Sequence, residues 1–305
     1  MMTNLITNHS GLPFREIDIQ TAVNSIKNDI ENAIIANGTK GKNDLIKTQK
    51  PIKLIHDVIK TELFRKGVDV SLINPDIKQL QKIANPTARR TKRILKLKDK
   101  ELQIAGYLKL KKQDVSAVPK DITVLSQILN QTTMLEGEID RFGYSFTEAI
   151  LSINIRSQLS STDKNFDTLY ERTFAEALNL HLRCPKIVLG ELYMIIAKEY
   201  NEDDAKVNAI SFKNADNIEK YIKAFQALNG RMDEKTDLYK YERNCLLIVD
   251  FSAKVPKIYS TDDELKQDGL LPRHSTATIK NLTFHNFVSD LLLIHEQRFG
   301  KGKFS

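Results

Sequence analysis

The chain has 305 residues and a mass of 34.8 kDa, a size that fits one large domain or two modest ones. Its apolar fraction of 41% and charged fraction of 28% are ordinary for globular proteins and argue against global disorder. No apolar stretch approaches the roughly 20 residues of a membrane span, and the first residues do not form a secretory signal. We therefore expect a cytoplasmic protein that does not bind membranes.

Positive charge is concentrated in the first third of the chain. The whole chain carries a net charge of +7, whereas residues 42–112 contain 19 Lys and Arg against 7 Asp and Glu. Charge this dense, greatest in ARRTKRILKLKDK, is typical of a segment that contacts nucleic-acid phosphates, or of a solvated basic surface or flexible connection. The candidate DNA-contacting residues are Arg89, Arg90, Lys92, Arg93, Lys96, Lys111 and Lys112.

Helical spacing of apolar residues dominates the first hundred residues. It predicts a helix over residues 14–36 that ends at Asn37-Gly38, and a second helix from Pro51 to Gly67. A shorter helix is predicted from Pro75. We therefore assign residues 1–99 to a helical, basic N-terminal region that contacts DNA or mediates dimerisation.

After residue 100 the pattern changes to strands alternating with helices. ELQIAGYLKLKKQDVSAVP predicts a strand pair, residues 122–129 a short helix, and AILSINIRSQL a strand with one apolar and one polar face. The helix DTLYERTFAEALNLHL then leads to KIVLGELYMIIA, which is apolar on both faces like a central strand, and NCLLIVDF is a further buried strand. This order predicts an α/β core over residues 100–260, with a C-terminal helix in residues 261–305 that packs on it.

Carboxylates and amides on strands are the main candidates for chemistry, because the usual phosphate-loop, nucleophile-elbow and zinc-protease motifs are missing from the sequence. Asp114 enters an apolar strand directly after a Lys pair, either as a hairpin turn residue or as a metal ligand. Asn154, Arg156 and Gln158 share one face of their strand, and Glu148 has the same parity just before it. That face is either solvated or suited to binding a phosphate and supporting a metal.

Glu191 is the second unusual carboxylate, since it lies within an otherwise apolar strand. Burying it is costly unless it is paired, hydrogen-bonded or metal-bound. A structural partner such as Arg156 or Arg172 would satisfy it without catalysis. Of Glu171 and Glu176 on the preceding helix, at most one faces the sheet.

The motif order resembles that of type II restriction endonucleases of the PD-(D/E)XK nuclease superfamily, over about residues 100–255. QDVSAVP resembles the first motif, in which a strand-borne Asp binds Mg²⁺, and SINIRSQLSS resembles the second. In the second motif the family has an acidic residue and a Lys, where this chain has Asn154 and Arg156. The strand KIVLGELYMII then follows in the expected order.

This resemblance implies a mixed central sheet flanked by helices, as in restriction endonucleases, and a Mg²⁺-dependent, sequence-specific endonuclease of double-stranded DNA. It further implies a homodimer and a cognate DNA methyltransferase that is not a stable subunit. Glu191 or Glu148 would supply the carboxylate that the second motif lacks. The implied catalytic residues are Asp114, Asn154, Arg156, Gln158 and Glu191, and the implied metal ligands are Asp114, Glu191 and Glu148.

Two other classes of function use the same positive charge. A non-catalytic DNA-binding protein would place helices from the first hundred residues in a groove and use the α/β region as a dimerisation body. An RNA-associated protein would prefer structured RNA to duplex DNA.

Overall fold

The computed structural model describes residues 14–75, 101–130, 133–160, 166–215 and 217–305. Its helices are α1 (Ile19–Lys47), α2 (Lys50–Arg65), α3 (Tyr144–Ala149), α4 (Phe166–His181), α5 (Glu202–Lys206), α6 (Ile218–Ala227), α7 (Asp262–Gln267) and α8 (Phe287–Phe299). Its strands are β1 (Ile73–Asn74), β2 (Leu102–Ala105), β3 (Leu110–Gln113), β4 (Val115–Ala117), β5 (Gln127–Ile128), β6 (Ile139–Asp140), β7 (Leu151–Gln158), β8 (Val188–Ile196), β9 (Lys198–Tyr200), β10 (Phe212–Asn214), β11 (Arg243–Asp250) and β12 (Lys257–Ile258).

Six strands form a mixed central sheet in the order β1-β4-β7-β8-β11-β12. The strands β7, β8 and β11 run parallel to one another, while β4 is antiparallel to both β1 and β7, and β12 is antiparallel to β11. Parallel neighbours need a crossover connection, and α4 lies in the connection from β7 to β8. The predicted α/β fold with a mixed, helix-flanked sheet is confirmed.

One face of the sheet is covered by α1, α2 and α8. Ile26 of α1, Ile59 of α2 and Leu291 of α8 belong to the same buried cluster as Ile153 and Leu192 of the sheet. The helices described within residues 14–75 therefore share the core of the α/β region, because the apolar side of β7 and one side of β8 need a cover.

The opposite face is covered by α4 and α6. Tyr221 and Ile222 of α6 pack with Tyr193 and Ile195 of β8, and the C-terminal half of α4 packs near the start of that strand. β8 is buried along its whole length, and its apolar pattern, interrupted by Glu191, is that of a central strand with cover on both sides.

Two local predictions differ from the structure. The predicted stop at Asn37-Gly38 is a kink: both residues leave helical geometry, with Gly38 at φ 57°, and α1 then resumes. The predicted helix over residues 122–129 is wrong. This segment is extended because its amides pair across a hairpin, Leu125 N with Phe142 O at 3.3 Å and Leu129 N with Glu138 O at 2.9 Å.

None of the helices in the described ranges combines the length and the apolar character needed to cross a bilayer. The helix predicted from Pro75 falls almost wholly on residues 76–100, which lie outside the described residues.

Candidate active site

A cleft of about 1060 Å³ opens between α2, the β2–β3 hairpin and the C-terminal half of β7. Asp114 and Arg156 line it from the sheet, and Lys53 and His56 line it from α2. A cavity of this size with convergent charged groups is the leading candidate for a functional site.

Four exposed cations line the cleft without an ion-pair partner among the described residues. They are Lys53, Lys112, Arg141 and Arg172. Most other lysines and arginines in the described ranges have a carboxylate close by; Lys60, at the same cleft, lies 3.4 Å from Asp57. Uncompensated positive charge converging on one cavity favours an anionic ligand.

Asp114 lies at the bend between β3 and β4, and its position follows from the strand register. The β4–β7 pairing begins at Val115, opposite Ile153, so the next free amide of β7 is that of Ile155. Asp114 Oδ2 accepts a hydrogen bond from this amide at 2.7 Å. Burial raises the pKa of Asp114 to about 6, against the lowering effect of the Ile155 amide.

The polar face of β7 is buried beneath α4. Asn154 is 3% exposed and donates to Glu176 Oε1 at 3.3 Å, while Ser152 donates to Gln113 Oε1 at 2.7 Å. The alternative of an ordinary solvated face is therefore wrong. Sequence periodicity separates the two faces of a strand but does not say which other element covers the polar one.

Arg156 lies between two buried acidic side chains, Glu176 and Glu191. Its Nη1 donates to Thr173 Oγ1 at 2.9 Å and lies 3.4 Å from Glu191 Oε1. Its Nη2 donates to Glu176 Oε2. Removing Arg156 would leave the buried Glu176 with Lys111 as its remaining compensating cation, so this side chain supports the fold as well as the cleft wall.

Glu191 is completely buried behind Arg156 and does not line the cleft. Neither of its carboxylate oxygens accepts a hydrogen bond from the described residues. The neighbouring hydroxyl of Tyr241 donates instead to Thr173 O at 3.1 Å. Burial raises the pKa of Glu191 to about 8, and the carboxylates of Glu176 and Asp114 add to this rise against the opposing effect of Arg156.

Glu176 is the central residue of this cluster, and sequence reasoning did not select it. It is 3% exposed and accepts hydrogen bonds from Asn154, from Arg156 and from Lys111 Nζ, the last at 2.6 Å. Helical spacing places it on one face of α4 with Thr173 and Leu180, but only the structure shows that this face is the buried one.

Two other predicted site residues lie away from the cleft. Gln158, at the end of β7, donates to Ser160 O. Glu148 lies on α3, before the start of β7, and accepts a hydrogen bond from the Tyr144 hydroxyl at 2.7 Å. The structure therefore brings Asp114, Asn154, Arg156 and Glu191 into one cluster around Glu176. Gln158 and Glu148 do not line the adjoining cleft.

The predicted DNA-contacting residues divide into two groups. Lys112 lines the cleft, whereas Lys111 points away from it and binds Glu176. The remaining candidates, Arg89, Arg90, Lys92, Arg93 and Lys96, lie outside the described residues.

The described part of the cleft does not contain a preformed cage for Mg²⁺. No group of three or more His, Cys, Asp or Glu side chains is placed to hold a metal within the described part of the chain. Mg²⁺, however, commonly binds one or two carboxylates and completes its shell with water and phosphate oxygens. Asp114 lines the cleft, and its Oδ2 accepts a hydrogen bond from the Ile155 amide. Its other oxygen, Oδ1, would be the ligand of such an ion.

No protein-family model, no curated protein and no solved structure matches this chain.

Proposed function

We propose that this protein is a Mg²⁺-dependent, sequence-specific endonuclease that hydrolyses phosphodiester bonds of double-stranded DNA and acts as a homodimer. One observation carries the proposal. Asp114 shares a cleft with four cations that have no ion-pair partner in the described ranges. A carboxylate suited to Mg²⁺ and positive charge suited to phosphates thus converge on one cavity.

The arrangement of strands gives further support. An Asp lies at the start of β4, β4 is antiparallel to β7, and α4 carries the chain to the parallel strand β8. This order agrees with the resemblance of the motifs to type II restriction endonucleases. A cognate DNA methyltransferase would then protect the host DNA.

Five charged residues of the cleft have separate roles under this proposal. Asp114 would hold Mg²⁺, which supplies a water activated for attack and charge to stabilise the leaving oxygen. Lys112, Arg141 and Arg172 would bind phosphates along the strand. Arg156, with both terminal nitrogens bound to protein groups, would present a fixed cation at the cleft wall.

The test is cleavage of mixed-sequence plasmid by the purified protein with Mg²⁺, compared with the same reaction in chelator. We expect discrete fragments, and we expect Asp114→Asn to lower the cleavage rate by at least about 10²-fold. Glu136→Gln is the control, because Glu136 is an exposed carboxylate that does not line the cleft. It should cleave at close to the wild-type rate.

A non-catalytic DNA-binding protein with an α/β dimerisation body is the second candidate. It is favoured by the lack of a three-ligand metal group in the described residues and by the engagement of Arg156 with protein carboxylates. Duplex binding with no discrete cleavage, across several salt conditions and divalent metals, would establish this second function and reject the first.

A further inference from the structure

Glu176 occupies a position that is costly for a carboxylate. It is 3% exposed on the inner face of α4, and a buried charge is tolerated only when it is paired and hydrogen-bonded. Its donors come from two strands: Lys111 belongs to β3, while Asn154 and Arg156 belong to β7. One side chain therefore ties α4, β3 and β7 together.

The contact with Arg156 determines where a cation stands at the cleft wall. A guanidinium is planar, so anchoring both terminal nitrogens fixes its plane. Glu176 engages Nη2, and Thr173, one turn earlier on the same helix, engages Nη1 at 2.9 Å. The side chain remains 16% exposed and lines the cleft.

The contact with Lys111 determines which residues of β3 face the cleft. Successive side chains of a strand point to opposite sides. Lys111 points to Glu176 and Gln113 is buried, whereas Lys112 and Asp114 line the cleft. Holding Lys111 inward therefore holds the other two residues outward.

We propose that Glu176 is the positioning residue of the cleft, fixing the guanidinium of Arg156 directly and the segment that presents Lys112 and Asp114 through Lys111. Glu176 does not line the cleft and acts only through these neighbours. This inference rests on the proposed nuclease function.

The experiment is single-turnover cleavage of plasmid DNA with Mg²⁺ by the wild type and by Glu176→Gln. Gln keeps the size of the side chain and removes the charge that holds two cations. We expect the single-turnover rate constant to fall by about 10²-fold, as for a misplacement of about 1 Å at a reacting centre. Affinity for the same DNA without metal should stay within about 3-fold or become tighter, because two cations lose part of their compensation.

This pair of readouts separates positioning from a structural role. A variant that only folds less well shows a smaller cleavage amplitude and weaker binding at an unchanged rate constant. Glu171→Gln is the matched control, since Glu171 lies on the same helix and is exposed. Its rate constant should equal that of the wild type.

A second variant covers the case in which Glu176→Gln does not fold. Lys111→Gln leaves Glu176 paired with Arg156 and should lower the rate constant about 10-fold with an unchanged amplitude. A wild-type rate constant in whichever of the two variants folds would overturn the positioning role while leaving the nuclease function in place. Failure of the wild type itself to cleave would reject the proposed function and this inference with it.

Discussion

Two glutamates are fully buried in neighbouring parts of the sheet, and their surroundings are opposite. Glu242, just before β11, accepts hydrogen bonds at 2.8 Å from Leu189 N, from Arg231 Nη1 and from Arg298 Nη1, and His181 Nε2 lies 3.4 Å away. Burial alone would raise its pKa, yet His181 and the two guanidiniums lower it to about 2.

Glu191, on β8, has far less compensation. Its nearest cation is Arg156 at 3.4 Å, which also serves Glu176, and it accepts no hydrogen bond from the described residues. Burial therefore prevails and raises its pKa to about 8. The two carboxylates differ in the number of donors around them and not in their burial.

This difference separates a structural cluster from a candidate active site. The Glu242 cluster joins the end of α4, the start of β8 and the C-terminal helix α8 through His181, Leu189 and Arg298. The cluster of Asp114, Glu176 and Glu191 has more carboxylates than its cations fully compensate. The raised pKa values of Asp114 and Glu191, beside an open cleft, are typical of functional sites.

The largest effect is expected from Glu242→Gln. At pH 7 it should lower the free energy of unfolding by about 3–5 kcal/mol, because two buried guanidiniums lose their shared counter-ion. The wild-type carboxylate has a pKa below its unfolded value, so its stabilisation is present above about pH 4.5 and is lost as the pH falls towards about 2. Denaturant unfolding at pH 7 and at pH 3 measures both the cost and its decrease.

A surface carboxylate of the same region provides the control. Glu296, on α8, pairs at 3.4 Å with Lys301, whose side chain is 90% exposed. Glu296→Gln should change stability by less than about 1 kcal/mol. A comparably small effect of Glu242→Gln would show that its cluster does not hold the fold together.

A smaller effect, with the opposite dependence on pH, is expected from Glu191→Gln. The folded wild type retains a proton on Glu191 up to about pH 8, whereas the unfolded chain releases it near the ordinary value of 4.5. Wild-type stability therefore falls as the pH rises through this window, and the Gln variant escapes that loss. At pH 8.5 the variant should be more stable than the wild type by on the order of 2 kcal/mol, with the two closer at pH 5.

Unfolding curves of both proteins across pH 5–8.5 give this comparison. A Glu191→Gln variant that is less stable than the wild type at every pH would mean that an ionised Glu191 is fully compensated, as Glu242 is. The contrast between the two glutamates would then be lost.

The smallest effect distinguishes two adjacent lysines. Lys112 lines the cleft without an ion-pair partner in the described ranges, while Lys111 is committed to Glu176. In metal-free DNA binding, Lys112→Gln should make the slope of log affinity against log salt shallower by up to about one unit. Lys111→Gln should leave that slope unchanged, and equal slopes for the two variants would show that the cleft does not bind phosphates through Lys112.

The basic run from Arg89 to Lys100 stays a prediction, because it lies outside the described residues. The same salt titration tests it: replacing Arg89, Arg90, Lys92 and Arg93 with Gln should weaken binding to all sequences together if these residues contact phosphates.

Much of the candidate site could be predicted from the sequence. The position of Asp114 at a strand entrance and the shared face of Asn154 and Arg156 follow from strand parity, and the cost of burying charge predicted an arginine partner for Glu191, either Arg156 or Arg172. The structure places Arg156 there. The sequence did not show which of Glu171 and Glu176 faces the sheet, because helical spacing alone does not tell which side of α4 meets it. The helix predicted over residues 122–129 failed for a related reason, since its apolar spacing did not reveal the hairpin partner that takes up its amides.

The sequence by itself determined the elements whose periodicity is local and strong. The alternation in LSINIRSQ specified a two-faced strand, and the apolar run of VLGELYMII, interrupted by Glu191, specified a strand covered on both sides. Only the tertiary structure decided that α4 lies over the polar face of β7. That packing turns Arg156 from a solvated cation into the counter-ion of Glu176, beside the buried Glu191. The physical reason is that periodicity records how a segment divides its own side chains, whereas the charge balance of a buried site depends on which distant segments contribute donors to it.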